Sequence, residues 1–181
     1  MAHFYFVRHG ETEMNKQDRI CGITESPLTE LGHQQAIRAG EYIKAQGYHI
    51  DEILCSPLSR ARDTAAHISE ITGIPVRVEP RIIEHNFGIW EGKVSKTDPD
   101  FIAAKQRFTD NFENGESILR VGQRIYNVLD EIMAQEDKVY LLVAHGGIFR
   151  FIQSYFTPMS NEEFAKSLIN NCEVRRLGDP E

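Results

Sequence analysis

A chain of 181 residues has the length of one domain built on one core, so separate modules joined by linkers are not expected. Hydrophobic residues make up 41% of it and charged residues 26%, a composition that excludes intrinsic disorder as the native condition. Asp and Glu number 27 against 20 Lys and Arg, and the net charge of -7 argues against a broad basic surface for nucleic acid or anionic lipid, so a positive field for any anionic ligand must be built locally.

Residues 3–7, His-Phe-Tyr-Phe-Val, are dense in aromatic and branched side chains and stop at Arg8-His9-Gly10, which predicts a short buried strand. A polar loop follows to Pro27. From Thr29 onward Leu31, Ala36, Ile37, Ala39, Tyr42 and Ile43 recur at helical spacing, with Thr29 able to cap the start and Gly47 the end. Glu52-Ile53-Leu54-Cys55 predicts a second strand, with Ser56 as N-cap and Pro57 at the first position of a helix running towards Gly73. Residues 74–78 supply a third strand. The stretch 84–116 breaks this rhythm with a Phe-Gly-Ile-Trp-Glu-Gly turn, Asp98-Pro99-Asp100 and a weak helical pattern from Phe101 to Phe108, and it reads as a cap inserted beside the sheet. A long helix is expected from Ser117, with Ile118, Val121, Ile125, Val128, Leu129 and Ile132 on one face. The run Val139-Tyr140-Leu141-Leu142-Val143-Ala144 predicts a strand covered on both faces, ending at His145-Gly146-Gly147. A helix to Phe156, a polar helix over 160–168 and a last strand from Glu173 to Leu177 complete the order. Strands alternating with helices imply an α/β fold, with a mostly parallel central sheet and helices on both faces.

Cys21, Cys55 and Cys172 form no CxxC pair, which argues against a disulfide framework or zinc ribbon and fits a reduced cytoplasm. No apolar stretch approaches the length of a membrane span, and the opening apolar run is broken by Arg8 and His9, so neither membrane insertion nor export is expected. Seven histidines invite a metal reading, but no HExxH or comparable short ligand spacing exists, and no metal or cofactor is expected. His3, His33, His49 and His67 read as ordinary polar residues.

In open parallel sheets the binding crevice lies beyond the carboxyl ends of the strands. Arg8 and His9 follow the first strand, Arg60 comes four residues after Ser56 closes the second, and His145 follows the most buried one, with Glu84 entering after the third. Two arginines, two histidines, glycine amides and a carboxylate form a set suited to phosphoryl chemistry, because guanidinium forks match phosphate oxygens and helix N-termini favour anions. At an effective dielectric near 20, a unit charge about 4 Å from a phosphate contributes on the order of 4 kcal/mol, so two arginines and an imidazolium could largely balance the dianion without metal.

The chain resembles the histidine phosphatase superfamily, which includes the phosphoglycerate mutase-like branch. The resemblance is carried, in order and over nearly the whole chain, by Arg8-His9-Gly10-Glu11-Thr12 with Asn15, Pro27-Leu28-Thr29 with Gly32, Ser56-Pro57-Leu58-Ser59-Arg60-Ala61 with Thr64-Ala65, Glu84 with Phe87-Gly88-Ile89-Trp90-Glu91-Gly92, and Ala144-His145-Gly146-Gly147. It implies one histidine phosphatase domain with a cap at about 84–116. His9 would be the nucleophile, forming a phosphohistidine, and Arg8, Arg60 and His145 the phosphate pocket. Glu84 would protonate the leaving oxygen and then activate water, which requires a raised pKa. His9 must attack as neutral imidazole, whereas His145 is expected charged. Asn15 and the amide of Gly146 are further candidates for phosphate contacts, Thr12 orders the loop, and Cys21 and Gly22 line the substrate mouth. Phe87 and Trp90 either pack the cap or wall the pocket. Glu79 and Glu91 compete with Glu84 as the acid on residue type alone.

The resemblance thus implies a phosphomonoester hydrolase acting on a small phosphorylated metabolite, with no oligomeric state indicated. A cofactor-dependent phosphoglycerate mutase is the alternative, in which the phosphoryl group returns to the product. Against it, His85-Asn86-Phe87 stands where the glycolytic mutases carry an Arg-His-Tyr series. The cap also lacks paired arginines for a substrate carboxylate, its Lys93, Lys96, Lys105 and Arg107 being unpaired in sequence. A non-catalytic phospholigand-binding protein is a third reading, against which both His9 and Glu84 stand, since binding alone needs neither nucleophile nor acid.

Overall fold

The computed structural model describes residues 2–93 and 96–178. The opening aromatic run forms β1 (His3–Arg8), and its side chains alternate between the two faces of the sheet: Phe4 and Phe6 enter one core, Tyr5 and Val7 the other. Such a strand must lie inside a sheet. It pairs with β4 (Tyr140–Ala144) in parallel and β5 (Val174–Gly178) antiparallel; β2 (Glu52–Cys55) and β3 (Val76–Val78) extend the parallel part, giving the order β3-β2-β4-β1-β5. The sheet is therefore mixed but mostly parallel. Register pairs Arg8 with Ala144 and Cys55 with Val143, so β1, β2 and β4 end at nearly the same level and deliver the residues that follow them to one rim.

Helices α2 (Glu30–Gln46) and α3 (Ser59–Thr72) cover one face, placing Ala39, Ile43, Ala61, Ala65 and Ile68 against Tyr5, Val7, Ile53, Leu141 and Val143. The other face carries α5 (Ile118–Met133) and α6 (Gly146–Phe156), whose Val121, Ile125, Leu129, Ile148 and Phe149 pack on Phe4, Phe6, Leu54 and Leu142. Each such side chain withdrawn from water contributes about 1.5–3 kcal/mol, and the Phe6 and Phe149 rings, 5.2 Å apart, fasten α6 to β1 just below the rim. Thr29 and Ser117 accept hydrogen bonds from the backbone of Gly32 and Arg120 as N-caps, and Gly47 closes α2 with a left-handed φ of 64°, as the sequence predicts.

Three helices differ from expectation. The loop after β1 contains α1 (Glu13–Lys16), a single turn held by a capping box between Thr12 and Asn15 and too short to show periodicity. The helix after β2 starts at Ser59 rather than Pro57, and its cap position is Leu58, with no side-chain hydrogen bond. Ser56 is not the N-cap because its buried hydroxyl is engaged across the rim by His145. Within the stretch 84–116, the pattern expected from Phe101 to Phe108 is α4 (Pro99–Ala104), started earlier by Asp98, whose carboxylate accepts from Asp100 and Phe101 N–H groups. The polar helix near residue 160 is α7 (Asn161–Lys166). All three cysteines are free, and no described helix is long and apolar enough to cross a membrane.

Candidate active site

His9 stands one residue beyond β1, where its N–H donates to the Ala144 carbonyl at 3.0 Å and fixes it between the ends of β1 and β4. Its Nδ1 lies 2.7 Å from the Gly10 carbonyl oxygen, an acceptor, so Nδ1 carries the proton and Nε2 is left with a free lone pair. Burial, then the charges of Arg60 and Arg8, push the imidazole pKa well below 6.5 and keep the ring neutral. Asn171 Nδ2 donates to the His9 carbonyl at 2.8 Å, and Thr64 Oγ1 accepts from Gly10 N–H at 3.1 Å. A Cβ at Gly10 would come within 2.3 Å of the Gly32 carbonyl oxygen, so this turn requires glycine.

Two guanidinium groups flank this ring. Arg60, in the first turn of α3 and only 1% exposed, donates to the carbonyls of Thr24 at 2.8 Å and Gly22 at 2.5 Å. Arg8 donates to the Ile169 carbonyl at 2.8 Å. The His145 ring centroid is 5.2 Å from that of His9, and its Nε2 is 2.6 Å from Ser56 Oγ. Arg8 Nε, Arg60 Nε and His145 Nδ1 are buried and have no hydrogen-bond partner among the described residues. Buried polar nitrogens are nearly always satisfied, and three orphans around one imidazole mark a place built for an oxygen-rich ligand. The expectation of a charged His145 is corrected: burial, then Arg60, His9 and Arg8, hold its pKa well below 6.5. A neutral ring still donates through one nitrogen.

Glu84 is the buried carboxyl of the site, at 4% exposure. Its Oε1 accepts from His85 N–H at 2.8 Å and its Oε2 from Gly147 N–H at 3.0 Å. Burial raises its pKa above 4.5, outweighing those two hydrogen bonds and the pull of Arg60. Arg124 supports the segment from below, donating to the carbonyls of Ile83 at 2.7 Å and Glu84 at 3.2 Å while paired with Glu116 at 2.9 Å. The two competing carboxylates are otherwise employed. Arg81 grips Glu79 at 2.8 Å and lowers its pKa, while Glu91 accepts from the N–H groups of Gly22, Ile23, Thr24 and Phe87 and from the Thr24 hydroxyl.

Arg8, His9, Glu84 and Gly146 line a cavity of about 130 Å³ together with Asn15, Cys21 and Phe87, while Arg60 and His145 lie buried behind its lining. Asn15 completes the capping box of α1 by accepting from Thr12 N–H, and its Oδ1 lies 3.5 Å from Asn171 Nδ2. Burial pushes the Cys21 thiol pKa up, which disfavours a thiolate nucleophile. Gly22 contributes backbone: its carbonyl holds Arg60, and a Cβ there would meet Glu91 Oε1 at 2.0 Å. Phe87 both lines the cavity and packs on His85, Phe101 and Phe112, whereas Trp90 packs on Phe101 and under the Lys93 ammonium. His33 and His67 bond each other at 2.9 Å between α2 and α3, and His49 pairs with Asp51. Sequence reasoning missed Asn171, Arg124 and Arg150, and named Lys105 only as an unpaired cation of the 84–116 stretch. For Arg150 a signal existed: an arginine inside the apolar run Ile-Phe-Arg-Phe-Ile, one helical turn after Gly146.

Residues 4–179 match the sequence model of the Histidine phosphatase superfamily (branch 1). Among curated relatives, "Probable phosphoglycerate mutase GpmB" of Erwinia tasmaniensis is 32% identical over 98% of this chain and 85% of its own length. Among solved structures, the mycobacterial glucosyl-3-phosphoglycerate phosphatase superposes with a TM-score of 0.84 at 28% identity, covering 98% of this chain and 93% of that one. The alpha-ribazole phosphatase of Shigella flexneri, at 22% identity and a TM-score of 0.81 over 99% and 91% of the two chains, shares the fold.

Proposed function

The chain belongs to the histidine phosphatase superfamily, and from that membership we propose that it is a metal-independent phosphomonoesterase for a small phosphorylated metabolite, with residues 84–116 forming its cap. The observation that carries the reading is the ring of orphaned donors, Arg8 Nε, Arg60 Nε and His145 Nδ1, around a neutral His9 whose Nε2 is free.

In the first step the Nε2 lone pair of His9 attacks phosphorus and the P–O bond to the leaving group breaks. Glu84, whose pKa burial raises, is the acid that gives its proton to the departing oxygen. The positive charge that develops on the ring is shared with the Gly10 carbonyl through Nδ1–H. Arg8, Arg60 and His145 stabilise the transferring oxygens, His145 as a neutral donor through Nδ1 if the Ser56 hydroxyl donates to its Nε2. In the second step the Glu84 carboxylate takes a proton from water, the hydroxide displaces His9 from phosphorus, and orthophosphate leaves with both side chains restored. The N-terminus of α6 at Gly146 adds a partial positive charge towards the phosphoryl group.

The name of the Erwinia relative favours a second reading, a mutase, in which the phosphohistidine returns its phosphoryl group to an acid alcohol instead of water. Hydrolysis of p-nitrophenyl phosphate in the presence of chelator tests the first reading. No turnover by wild type between pH 5 and 8, on this ester and a panel of phosphometabolites, would sink it. With 3-phosphoglycerate and catalytic 2,3-bisphosphoglycerate, isomerisation faster than phosphate release would favour the mutase.

A further inference from the structure

Two buried imidazoles lie together in this site, those of His9 and His145, with ring centroids 5.2 Å apart. A neutral imidazole has one N–H and one lone pair, and the hydrogen bond made by one nitrogen decides what the other presents. For His9 that bond is to a carbonyl, which only accepts, so the lone pair is left on Nε2. For His145 it is to a hydroxyl, 2.6 Å from Nε2 to Ser56 Oγ, and a hydroxyl can donate or accept. The direction of this bond decides whether His145 Nδ1, buried and without a partner among the described residues, carries a proton or a lone pair.

The surroundings of Ser56 give the bond its direction. Ser56 is fully buried, and its Oγ accepts a long 3.4 Å hydrogen bond from Leu58 N–H. Among the described residues the hydroxyl proton has no acceptor other than His145 Nε2. If Nε2–H donated to Ser56, the oxygen would take two donors while its own proton stayed buried and unpaired, which native structures rarely tolerate. An imidazolium would protonate Nε2 as well and strand the same proton, and burial with the charges of Arg60, His9 and Arg8 opposes it. With the hydroxyl donating to Nε2, both sides of the bond are matched and only Nδ1–H is left for a ligand. Main-chain bonds fix the two residues at the rim: Ser56 N–H donates to the Val143 carbonyl at 3.0 Å, and Phe149 N–H to the His145 carbonyl at 3.1 Å.

We propose that Ser56 is a positioning residue that holds His145 in the Nδ1–H tautomer. His9 and His145 then share one tautomer with opposite results: His9 presents a lone pair to phosphorus, and His145 presents a proton to a phosphoryl oxygen. A lone pair on His145 Nδ1 would repel that oxygen instead. The Ser56 oxygen also accepts from Leu58, the cap position of α3, and so ties His145 to the start of the helix that carries Arg60. The tautomer belongs to the resting protein, whereas its effect on rate rests on the phosphomonoesterase reading above.

Long-range ¹H–¹⁵N spectra of protein labelled at histidine, with His145 assigned through its backbone resonances, read the tautomer directly. At pH 7 the wild-type ring should show a protonated Nδ1 and an unprotonated Nε2. In Ser56→Ala the ring should give up the pure Nδ1–H form for the Nε2–H form. Its kcat on p-nitrophenyl phosphate, whose leaving oxygen needs little help from Glu84, should fall on the order of a hundredfold, as when one donor to a transition-state oxyanion is lost. Ser56→Thr, which keeps the hydroxyl, should keep the Nδ1–H form. A wild-type His145 protonated at Nε2 overturns the assignment, and that spectrum needs no variant to fold. An unchanged tautomer or an unchanged kcat in Ser56→Ala overturns the positioning role. If wild type turns over no phosphomonoester, the phosphatase reading falls, and the spectra of wild type and Ser56→Ala alone decide whether Ser56 sets the tautomer.

Discussion

Oε2 of Glu84 accepts a 3.0 Å hydrogen bond from the main-chain N–H of Gly147, so the buried carboxyl is held by the first turn of the helix that also follows His145. A Cβ on residue 147 would lie 2.4 Å from Glu84 Oε1. Backbone donation and the helix terminus stabilise the carboxylate, burial stabilises the acid, and the close seat that only glycine allows keeps both influences on one group.

Gly147→Ala should therefore displace the Glu84 carboxyl without unfolding the chain. A fall in kcat of about tenfold or more with an unchanged thermal transition is expected, since misplacing a catalytic group by about 1 Å can cost on the order of a hundredfold. Steady-state kinetics beside a melting curve checks it, and full activity would show that the carboxyl position is unimportant.

Glu84→Gln should slow hydrolysis by about 10² to 10⁴-fold for alkyl phosphates, whose leaving oxygen needs the proton, and much less for p-nitrophenyl phosphate. In wild type, alkyl ester cleavage should decline as pH rises through the raised Glu84 pKa, while the neutral His9 stays active well below pH 6.5. Equal losses on both ester types would remove Glu84 from the role of acid.

Glu91 is predicted to position Arg60 through the intervening loop: its carboxylate gathers the Gly22 and Thr24 amides, and the carbonyls of the same two residues hold the Arg60 guanidinium. Glu91→Ala should weaken competitive inhibition by inorganic phosphate roughly tenfold, with Glu91→Gln recovering part of it. Unaltered phosphate inhibition in Glu91→Ala would restrict Glu91 to holding the loop at Gly22–Thr24.

Stability should fall in acid. His9, His85 and His145 have folded pKa values depressed below 6.5, so below that pH the unfolded chain binds protons that the folded chain refuses. Their stabilising effect is fully present above pH 6.5 and is lost as pH falls towards the folded values, each at up to about 1.4 kcal/mol per pH unit. Glu84, raised above 4.5, opposes this only between 4.5 and its folded pKa, where the folded state holds the extra proton. Urea midpoints measured from pH 7.5 to 5 should decrease steadily, and a flat series would contradict the burial of neutral histidines.

The parallel part of the sheet was legible because β1, β2 and β4 are short apolar runs that stop at polar or glycine-containing turns, and the helices because Thr29, Ser117 and Gly47 mark their ends. His9, Arg8, Arg60, His145 and Glu84 were legible as candidates for the same reason, each following a strand at a distance that lets topology bring it to one rim. Local cues failed where a side chain had a distant partner. Ser56 reads as an N-cap until His145, 89 residues away, takes its hydroxyl. Asn171 reaches back 162 residues to the His9 carbonyl, and Lys105 and Arg150, distant in sequence, come together only as lining of the same folded cavity. The charge of His145 was misread because sequence shows its role but not the burial and arginine charges that keep it neutral.

The covalent step on His9 is open to direct measurement. Wild-type protein mixed with a ³²P-labelled phosphomonoester and quenched in alkali within one turnover should carry protein-bound label that survives base, is released by acid, and maps to the peptide containing His9. His9→Ala should carry none. Turnover without such label under rapid quench, or label that persists in His9→Ala, would contradict a phosphohistidine mechanism at this site.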